Sequence, residues 1–169
     1  MMVGSILHVP SRPEAPTGEV VLKLDRLCAP PPRQFGTALR DISIEVRAGE
    51  VLGIGGVAGN GQDELLLALS GEMKTEASMV QFKGAAIGRA ASNARRRLGL
   101  LTAPEERMGH AAAPDMSLTE NAILTGTIRE ELTQNGFLRW GKARVFAERV
   151  IKSFDVRTPG PGNAARSLS

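Results

Sequence analysis

The sequence predicts an α/β fold, and three patterns along the chain carry that prediction. Apolar residues alternate with polar ones at Ile42, Ile44 and Val46, which is typical of a half-buried strand. A glycine-rich loop, residues 56–63, directly follows a short apolar run. Farther on, apolar residues recur at helical spacing over residues 142–154. Strands therefore come first, a strand–loop–helix unit follows, and helices predominate in the last part.

The composition indicates a globular domain and excludes several other classes of protein. The chain has 169 residues, of which 42% are apolar and 23% charged, so it is long enough to bury a core and is not disordered. One cysteine excludes an internal disulfide framework, and no apolar run approaches the ~18 residues of a transmembrane helix. A net charge of +3 and 4% aromatic residues do not favour nucleic acid as a partner, and none is expected.

The first part of the chain predicts a linker and two strands. Residues 1–18 end in a stretch with proline and glycine and no periodic apolar pattern, and we interpret them as a linker. Apolar and polar residues alternate over residues 20–24, which predicts a strand, and the prolines at residues 30–32 end it. The strand predicted at residues 42–46 leads into a turn at residues 47–50.

The middle of the chain predicts a buried strand, a short helix and a further strand. Residues 51–55 form an apolar run that is typical of a strand buried on both faces. The leucine-rich residues 65–69 predict a helix, which Gly71 ends because glycine readily adopts the left-handed conformation of a helix C-terminus. Residues 78–82 predict another strand, followed by a turn at residues 83–84.

The last part of the chain predicts a helix and a strand, followed by two further helices. Residues 90–97 suit a helix whose basic end we expect to be solvated, and residues 98–101 predict a buried strand. Ser117 and Glu120 have the spacing of a capping box, so a helix is predicted to begin there. The apolar stripe of the helix predicted over residues 142–154 consists of Val145, Phe146, Val150, Ile151 and Phe154.

The most informative segment is the glycine-rich loop, which matches part of a phosphate-binding pattern. Gly56 and Gly61 stand at the glycine positions of G-x-x-x-x-G-K-[ST]. Gly59 and Gly61 let the backbone turn sharply and point N–H groups inward, and the following helix adds the positive end of its dipole. The lysine of the pattern is replaced by Gln62, and its hydroxyl residue by Asp63.

These two replacements predict weak phosphate binding. Gln62 donates hydrogen bonds but carries no charge, whereas a charge pair about 4 Å apart is worth ~4 kcal/mol at an effective dielectric constant of ~20. Asp63 brings a negative charge to the Mg²⁺ position, where its carboxylate is itself a candidate metal ligand. The candidate phosphate-binding residues are Gly56, Val57, Gly59, Asn60, Gly61, Gln62 and Asp63. Glycine spacing alone is equally compatible with a turn that only joins a strand to a helix.

Several stretches of the chain resemble the ATP-binding domain of ABC transporters. Residues 47–71 look like the start of such a domain, and residues 104–107 and 114–121 look like the stretch after the strand that leads to its Q-loop, although the usual glutamine is absent. Residues 165–169 resemble the approach to the LSGG signature. The chain is most similar to the second, degenerate ATP-binding domain of bacterial sugar or nucleoside importers, which often lacks the loop lysine.

The resemblance implies part of an ABC-type P-loop domain. Residues 19–103 would form an antiparallel β portion and a partial P-loop core, and residues 104–169 a partial helical subdomain. ATP and Mg²⁺ are the implied cofactors, and the implied activity couples ATP binding and hydrolysis to import of a sugar or nucleoside. Another ATP-binding domain, expected on the same polypeptide, and a membrane permease are the implied partners, at the cytoplasmic face of the inner membrane. Because the sequence stops before a signature glycine pair or a Walker B segment, this chain alone is expected to bind nucleotide weakly without hydrolysing it.

Other interpretations stay open beside this one. In the main rival, the loop is vestigial and the domain is a non-catalytic scaffold that docks a partner ATPase domain and the permease. Phe35 is the aromatic residue nearest the family's adenine-stacking position, but core packing is favoured for it. Met116 and Leu118 would either line the groove that receives a helix of the permease or pack inside the helical subdomain. Residues 51–55, as a strand at an exposed sheet edge, would promote self-association.

Overall fold

The computed structural model describes residues 17–168, which divide into two compact units after Ala90. The predicted linker, residues 1–18, lies outside the described residues except for its last two positions. Each unit contains both helix and strand, and the larger sheet is antiparallel. This architecture confirms the predicted α/β class.

A four-stranded antiparallel sheet forms the centre of the first unit, with the strand order β2-β1-β3-β4. Its strands are β1 (Val20–Ala29), β2 (Leu39–Arg47), β3 (Val80–Phe82) and β4 (Ala85–Ala86). The strands predicted from the alternation at residues 20–24 and 42–46 are confirmed, and both extend beyond the alternating residues. The strand predicted at residues 78–82 begins only at Val80, after a 3-10 turn (Ala77–Met79).

Strand β1 holds the sheet together, because it pairs with β2 along one edge and with β3 along the other. Leu24 lies opposite Ile44 on β2 and Val80 on β3. Leu24, Leu27 and Val80 are buried, and so is Leu39 at the start of β2. Burying a side chain of this size contributes ~1.5–3 kcal/mol, so these residues supply much of the stability of the first unit.

Helix α1 (Gln62–Ser70) follows the glycine-rich loop, as predicted, and ends at Gly71. Gly71 has a φ of 84°, the left-handed conformation expected of the residue that stops this helix. Leu65 and Ala68 are buried and share one face of the helix. The burial of Leu65 and Ala68 anchors the first turns of α1 in the core. The end of the preceding loop is therefore held in place by the helix.

Two predicted strands are not formed in the described part of the chain. Residues 51–55 pair with no described strand, and Val51 and Ile54 are 78% and 54% exposed. Residues 98–101 are also not a strand, since Leu98 ends a helix and Leu101 is exposed. A strand that is buried on both faces needs neighbouring strands and covering layers. Without such neighbours among the described residues, both apolar runs remain exposed to solvent.

The second unit contains helices and a short hairpin. Its described elements are α2 (Ser92–Leu98), α3 (Leu118–Gly126), β5 (Thr133–Gln134), β6 (Phe137–Leu138) and α4 (Trp140–Ser153). Ile123, Leu132 and Ala143 form its core, and Phe146 packs against them. Helices α3 and α4 approach closely at Gly126, where an added Cβ would lie 2.7 Å from Cε1 of Phe146. The absence of a side chain at Gly126 is therefore required for this packing.

The amphipathic helix predicted over residues 142–154 is confirmed as α4, but only part of the predicted apolar stripe lies on its buried face. Val145 and Phe154 belong to the predicted apolar stripe, yet they are 64% and 77% exposed. The buried positions of α4 are Ala143 and Ala147. Small side chains therefore form the most buried part of this helix, and the larger apolar ones lie at its margins.

Helix α2 confirms the predicted helix but not the predicted solvation of its basic end. Arg95, Arg96 and Arg97 lie in its last turn, where positive charge favours the helix dipole. Arg97 is exposed, whereas Arg95 is only 1% exposed, and burial lowers the pKa of its guanidinium. The stretch of arginines is thus divided between the surface and the interior of the second unit.

Helix α3 begins with the predicted capping box. The amide of Glu120 donates to Oγ of Ser117 over 3.2 Å, and the amide of Ser117 donates to Oε2 of Glu120 over 2.7 Å. The hydroxyl of Ser117, and then its amide, hold the pKa of Glu120 below its ordinary value. This stabilisation is present above the ordinary carboxyl pKa and is lost as the pH falls through the lowered one.

The backbone before α3 is held by the side chain of Asn121. Its Nδ2 lies 3.0 to 3.1 Å from the carbonyl oxygens of Ala113, Met116 and Ser117, to which it donates. Its Oδ1 accepts from the amide of Ala113 over 2.8 Å. One side chain therefore fixes the whole turn that leads into the capping box.

The closing segment, residues 160–167, runs beside residues 114–119 of the same unit. The amide of Ala165 donates to the carbonyl of Met116, and the amide of Thr119 donates to the carbonyl of Pro161, each over 2.9 Å. The ion pair of Arg166 with Asp115, 2.8 Å long, lies at the same junction. Residues distant in sequence are thereby joined at the start of α3.

We expect Ser117→Ala to lower the free energy of unfolding by ~1 kcal/mol, because it removes the side chain that caps α3. Urea unfolding at neutral pH, followed by far-ultraviolet circular dichroism, measures the change. The matched control is Ser153→Ala, at the exposed end of α4, for which a change within ~0.5 kcal/mol is expected. Equal effects of the two substitutions would contradict the capping role of Ser117.

Candidate functional site

The glycine-rich loop leads directly into α1 in a backbone conformation that requires glycine. Gly59 and Gly61 have φ values of 86° and 103°, in the left-handed region that side chains disfavour. Gly61 is also the N-cap residue of α1, and no side chain caps this helix. The backbone amides at the start of α1 therefore have no side-chain cap, and can donate hydrogen bonds to loop groups or to a bound anion.

The segment before β2 holds this loop through Thr37. The hydroxyl of Thr37 donates to the carbonyl of Gly59, and its amide donates to Oε1 of Glu64, both over 2.9 Å. An added Cβ at Gly61 would lie 3.4 Å from Cγ2 of Thr37. Thr37 and Glu64 are thus positioning residues of the loop. Neither residue could be identified from the sequence, because contacts across 22 and 27 residues leave no local signal.

The side chain of Gln62 folds back across the loop. Its Nε2 donates to the carbonyl of Val57, and its Oε1 accepts from the amide of Asn60, each over 3.2 Å. An added Cβ at Gly56 would collide with Nε2 of Gln62. The structure therefore brings Gly56, Val57, Asn60 and Gln62 together, with the Gln62 amide inside the turn.

The charge at the loop is negative. Asp63 and Glu64 lie in the first turn of α1, and Asp63 is exposed. Residues 56–63 contain no lysine or arginine. Among residues 17–168, no three His, Cys, Asp or Glu side chains are grouped as a metal site, so Asp63 would hold Mg²⁺ only together with ligands from a bound phosphate.

Phe35 lies on the same segment as Thr37 and is 95% exposed. The favoured prediction, that Phe35 packs in the core, is therefore wrong. Core packing fails because residues 30–38 form no strand or helix that would turn the ring inward. The ring is instead exposed to solvent.

Three apolar side chains of the second unit are partly or largely exposed. Met116 and Leu118 are half-buried where the closing segment runs beside them, which is compatible with both the groove and the core prediction. Trp140, at the start of α4, is 53% exposed. In the described part of the chain, no helix has the length and apolar character needed to cross a membrane.

Comparison with known proteins finds import proteins that bind ATP. No protein-family model matches the chain. The guanosine import ATP-binding protein NupO of Bacillus subtilis is 34% identical over 155 residues, which cover 92% of this chain and 30% of NupO. The ribose import ATP-binding protein RbsA 2 of Streptomyces coelicolor is 34% identical over 170 residues, covering 100% of this chain and 31% of that protein.

A third relative is the nucleoside import ATP-binding protein NupA of Lactococcus lactis, 29% identical over 170 residues, with 100% of this chain and 33% of NupA covered. The chain thus spans about a third of the length of the curated relatives it matches. The similarity runs through the glycine loop and both structural units, and is not confined to one short motif.

We expect Gly61→Ala to lower the free energy of unfolding by about 1–2 kcal/mol, because alanine is disfavoured at its left-handed φ. The matched control is Gly53→Ala, since Gly53 has no left-handed φ and an added Cβ there meets no atom within 4 Å. For this control, a change below ~0.5 kcal/mol is expected. Chemical denaturation of both variants measures the difference. A Gly61→Ala protein as stable as wild type would contradict the loop conformation described above.

Proposed function

We propose that this chain, which resembles the ATP-binding proteins of sugar and nucleoside ABC importers over nearly its whole length, is part of a domain that binds ATP for such an importer. Residues 19–103 would form its β portion and nucleotide-binding core, and residues 104–169 part of its helical subdomain. The observation that carries the proposal is the loop itself, with left-handed glycines at the N-terminus of a supported helix.

The backbone of the loop suits the phosphates of ATP. Gly56, Gly59, Asn60 and Gly61 would turn their N–H groups toward the anion, and the N-terminus of α1 adds its partial positive charge. The donor set is neutral backbone without a cation, so it fits a weakly held phosphate. A bound nucleotide supplies the phosphates and its Mg²⁺, and Asp63 is the side chain that would contact the metal.

The electrostatics of the loop favour weak binding and no turnover by this chain alone. Gln62 replaces a charged lysine with a neutral amide, and Asp63 adds a negative charge close to the phosphates. Each change removes attraction worth at least ~1 kcal/mol in water, and more at a lower dielectric constant. No other residue of the loop carries a positive charge that would restore the lost attraction for phosphate.

Phe35 would stack on the adenine ring. Its side chain is 95% exposed, and its segment is joined to the loop by the hydrogen bond from Thr37 to Gly59. Aromatic stacking on a base contributes about 1–3 kcal/mol, which would offset part of the affinity that the missing lysine removes.

The second candidate function is that of a scaffold with a vestigial loop. The observation that favours it is the folded-back side chain of Gln62, which already uses the amide of Asn60. The domain would then dock a second ATP-binding domain and a membrane permease, at the cytoplasmic face of the inner membrane. The exposed Trp140 suits such an interface, because aromatic residues are enriched at protein contacts. Specificity for the sugar or nucleoside would lie in other subunits.

We expect Gln62→Lys to tighten MgATP binding at least about fivefold, since it restores one cation beside the phosphates. The measurement is the rise in melting temperature over a series of MgATP concentrations, because a ligand selective for the native state stabilises it. Gln134→Lys is the matched control: it adds the same charge in the exposed β5–β6 hairpin, and its MgATP response should equal that of wild type.

The scaffold function predicts a different result. A protein whose melting temperature does not respond to MgATP in either wild type or Gln62→Lys would rule out the nucleotide-binding proposal. Phosphate release is the second readout, and wild type should release no more than the Gly61→Ala variant. Release clearly above that variant would contradict the proposed lack of hydrolysis.

Self-association of the chain is expected through residues 51–55. Val51 and Ile54 are exposed, and apolar residues in a segment that pairs with no described strand favour pairing with a second copy. Multi-angle light scattering at increasing concentration should show association of wild type, and Ile54→Lys should reduce it severalfold. Leu124→Lys is the matched control, because Leu124 is 55% and Ile54 54% exposed. A monodisperse wild-type monomer would contradict this expectation.

A further inference from the structure

We infer that the side chain of Gln62 is an internal occupant of the phosphate loop, which an anion must displace before it binds. The inference rests on the proposed function of the loop and assigns Gln62 a role opposite to that of the lysine it replaces. Its basis is the pair of hydrogen bonds that the Gln62 amide makes across the turn.

The Gln62 amide fills the turn with matched donors and acceptors. Nε2 donates to the carbonyl of Val57, while Oε1 accepts from the amide of Asn60. The place beside Gly56 is occupied by Nε2, as the collision of a built Cβ with that atom indicates. Both polar ends of the side chain are thus used within the loop.

Neither a lysine nor a carboxylate side chain could make both of these hydrogen bonds. An ammonium group donates hydrogen bonds but accepts none, and a carboxylate accepts but does not donate. A lysine at residue 62 could therefore not accept from the amide of Asn60, and that N–H would remain open to a phosphate. Compared with the lysine of the phosphate-binding pattern, Gln62 therefore lacks a charge and also competes with phosphate for the N–H group of Asn60.

Gln62→Ala distinguishes the two roles by the sign of its effect. If Gln62 donated to phosphate, its removal would weaken anion binding. If Gln62 occupies the loop, its removal frees the amide of Asn60 and strengthens binding. We expect the dissociation constant to fall about fivefold, which corresponds to an open fraction of about one-fifth in the unliganded wild-type chain.

The experiment uses inorganic triphosphate as the probe, so that adenine stacking does not contribute. Nuclear magnetic resonance of the isotope-labelled chain follows the amide signals of the loop during the titration. The matched control is Gln81→Ala: Nε2 of Gln81 also donates to a backbone carbonyl, that of Ser78, over 3.2 Å, but outside the loop. Its affinity should equal that of wild type. An unchanged or weaker affinity of Gln62→Ala would overturn the inference.

A second readout does not depend on any ligand. The exchange of the Asn60 amide with water should be at least about threefold faster in Gln62→Ala than in wild type, and unchanged in Gln81→Ala. Unchanged exchange in Gln62→Ala would overturn the inference even if the loop binds anions. If neither wild type, Gln62→Ala nor Gln62→Lys binds triphosphate or MgATP, the proposed function fails, while faster Asn60 exchange would still support Gln62 as the occupant of the loop.

Discussion

The hydrogen bonds of Thr37 are the constraint on which the glycine loop depends. Thr37 stands just before β2, so its position is set by the sheet, and from there it binds both Gly59 and Glu64. Each such bond contributes about 0.5–1.5 kcal/mol net. The loop is therefore shaped from the side of the sheet and of α1. Residues 51–55, which directly precede the loop, contribute no described strand to it.

The loop combines a geometry suited to anions with a charge that opposes them. Left-handed glycines and a helix N-terminus favour a phosphate, whereas Asp63 and Glu64 place two carboxylates in the first turn of α1. The Gln62 amide satisfies loop groups that would otherwise need water or a ligand. These loop groups are therefore satisfied within the chain and need no ligand to complete their hydrogen bonds.

Features set by neighbouring residues were predictable, and features set by distant ones were not. Alternation identified β1 and β2, Gly71 marked the end of α1, and Ser117 with Glu120 marked the start of α3. The exposure of residues 51–55 and of Phe35 could not be inferred, because burial depends on covering layers that the local sequence does not specify. The candidate loop was found from its glycines, but its support by Thr37 joins residues far apart in sequence. The position of the Gln62 side chain within the loop could not be predicted either, since the same amide could equally have faced a ligand.

The pairing of the closing segment with the start of α3 has a consequence for how the second unit folds. The hydroxyl and amide of Thr119 bind the carbonyl of Pro161, 42 residues away. Bringing such distant residues together costs more chain entropy than closing a helical turn or the β5–β6 hairpin. Helices α3 and α4 and the hairpin should consequently form before this pairing, because local contacts form on shorter timescales. From sequence separation alone, we therefore expect the junction at residues 114–119 to be completed last.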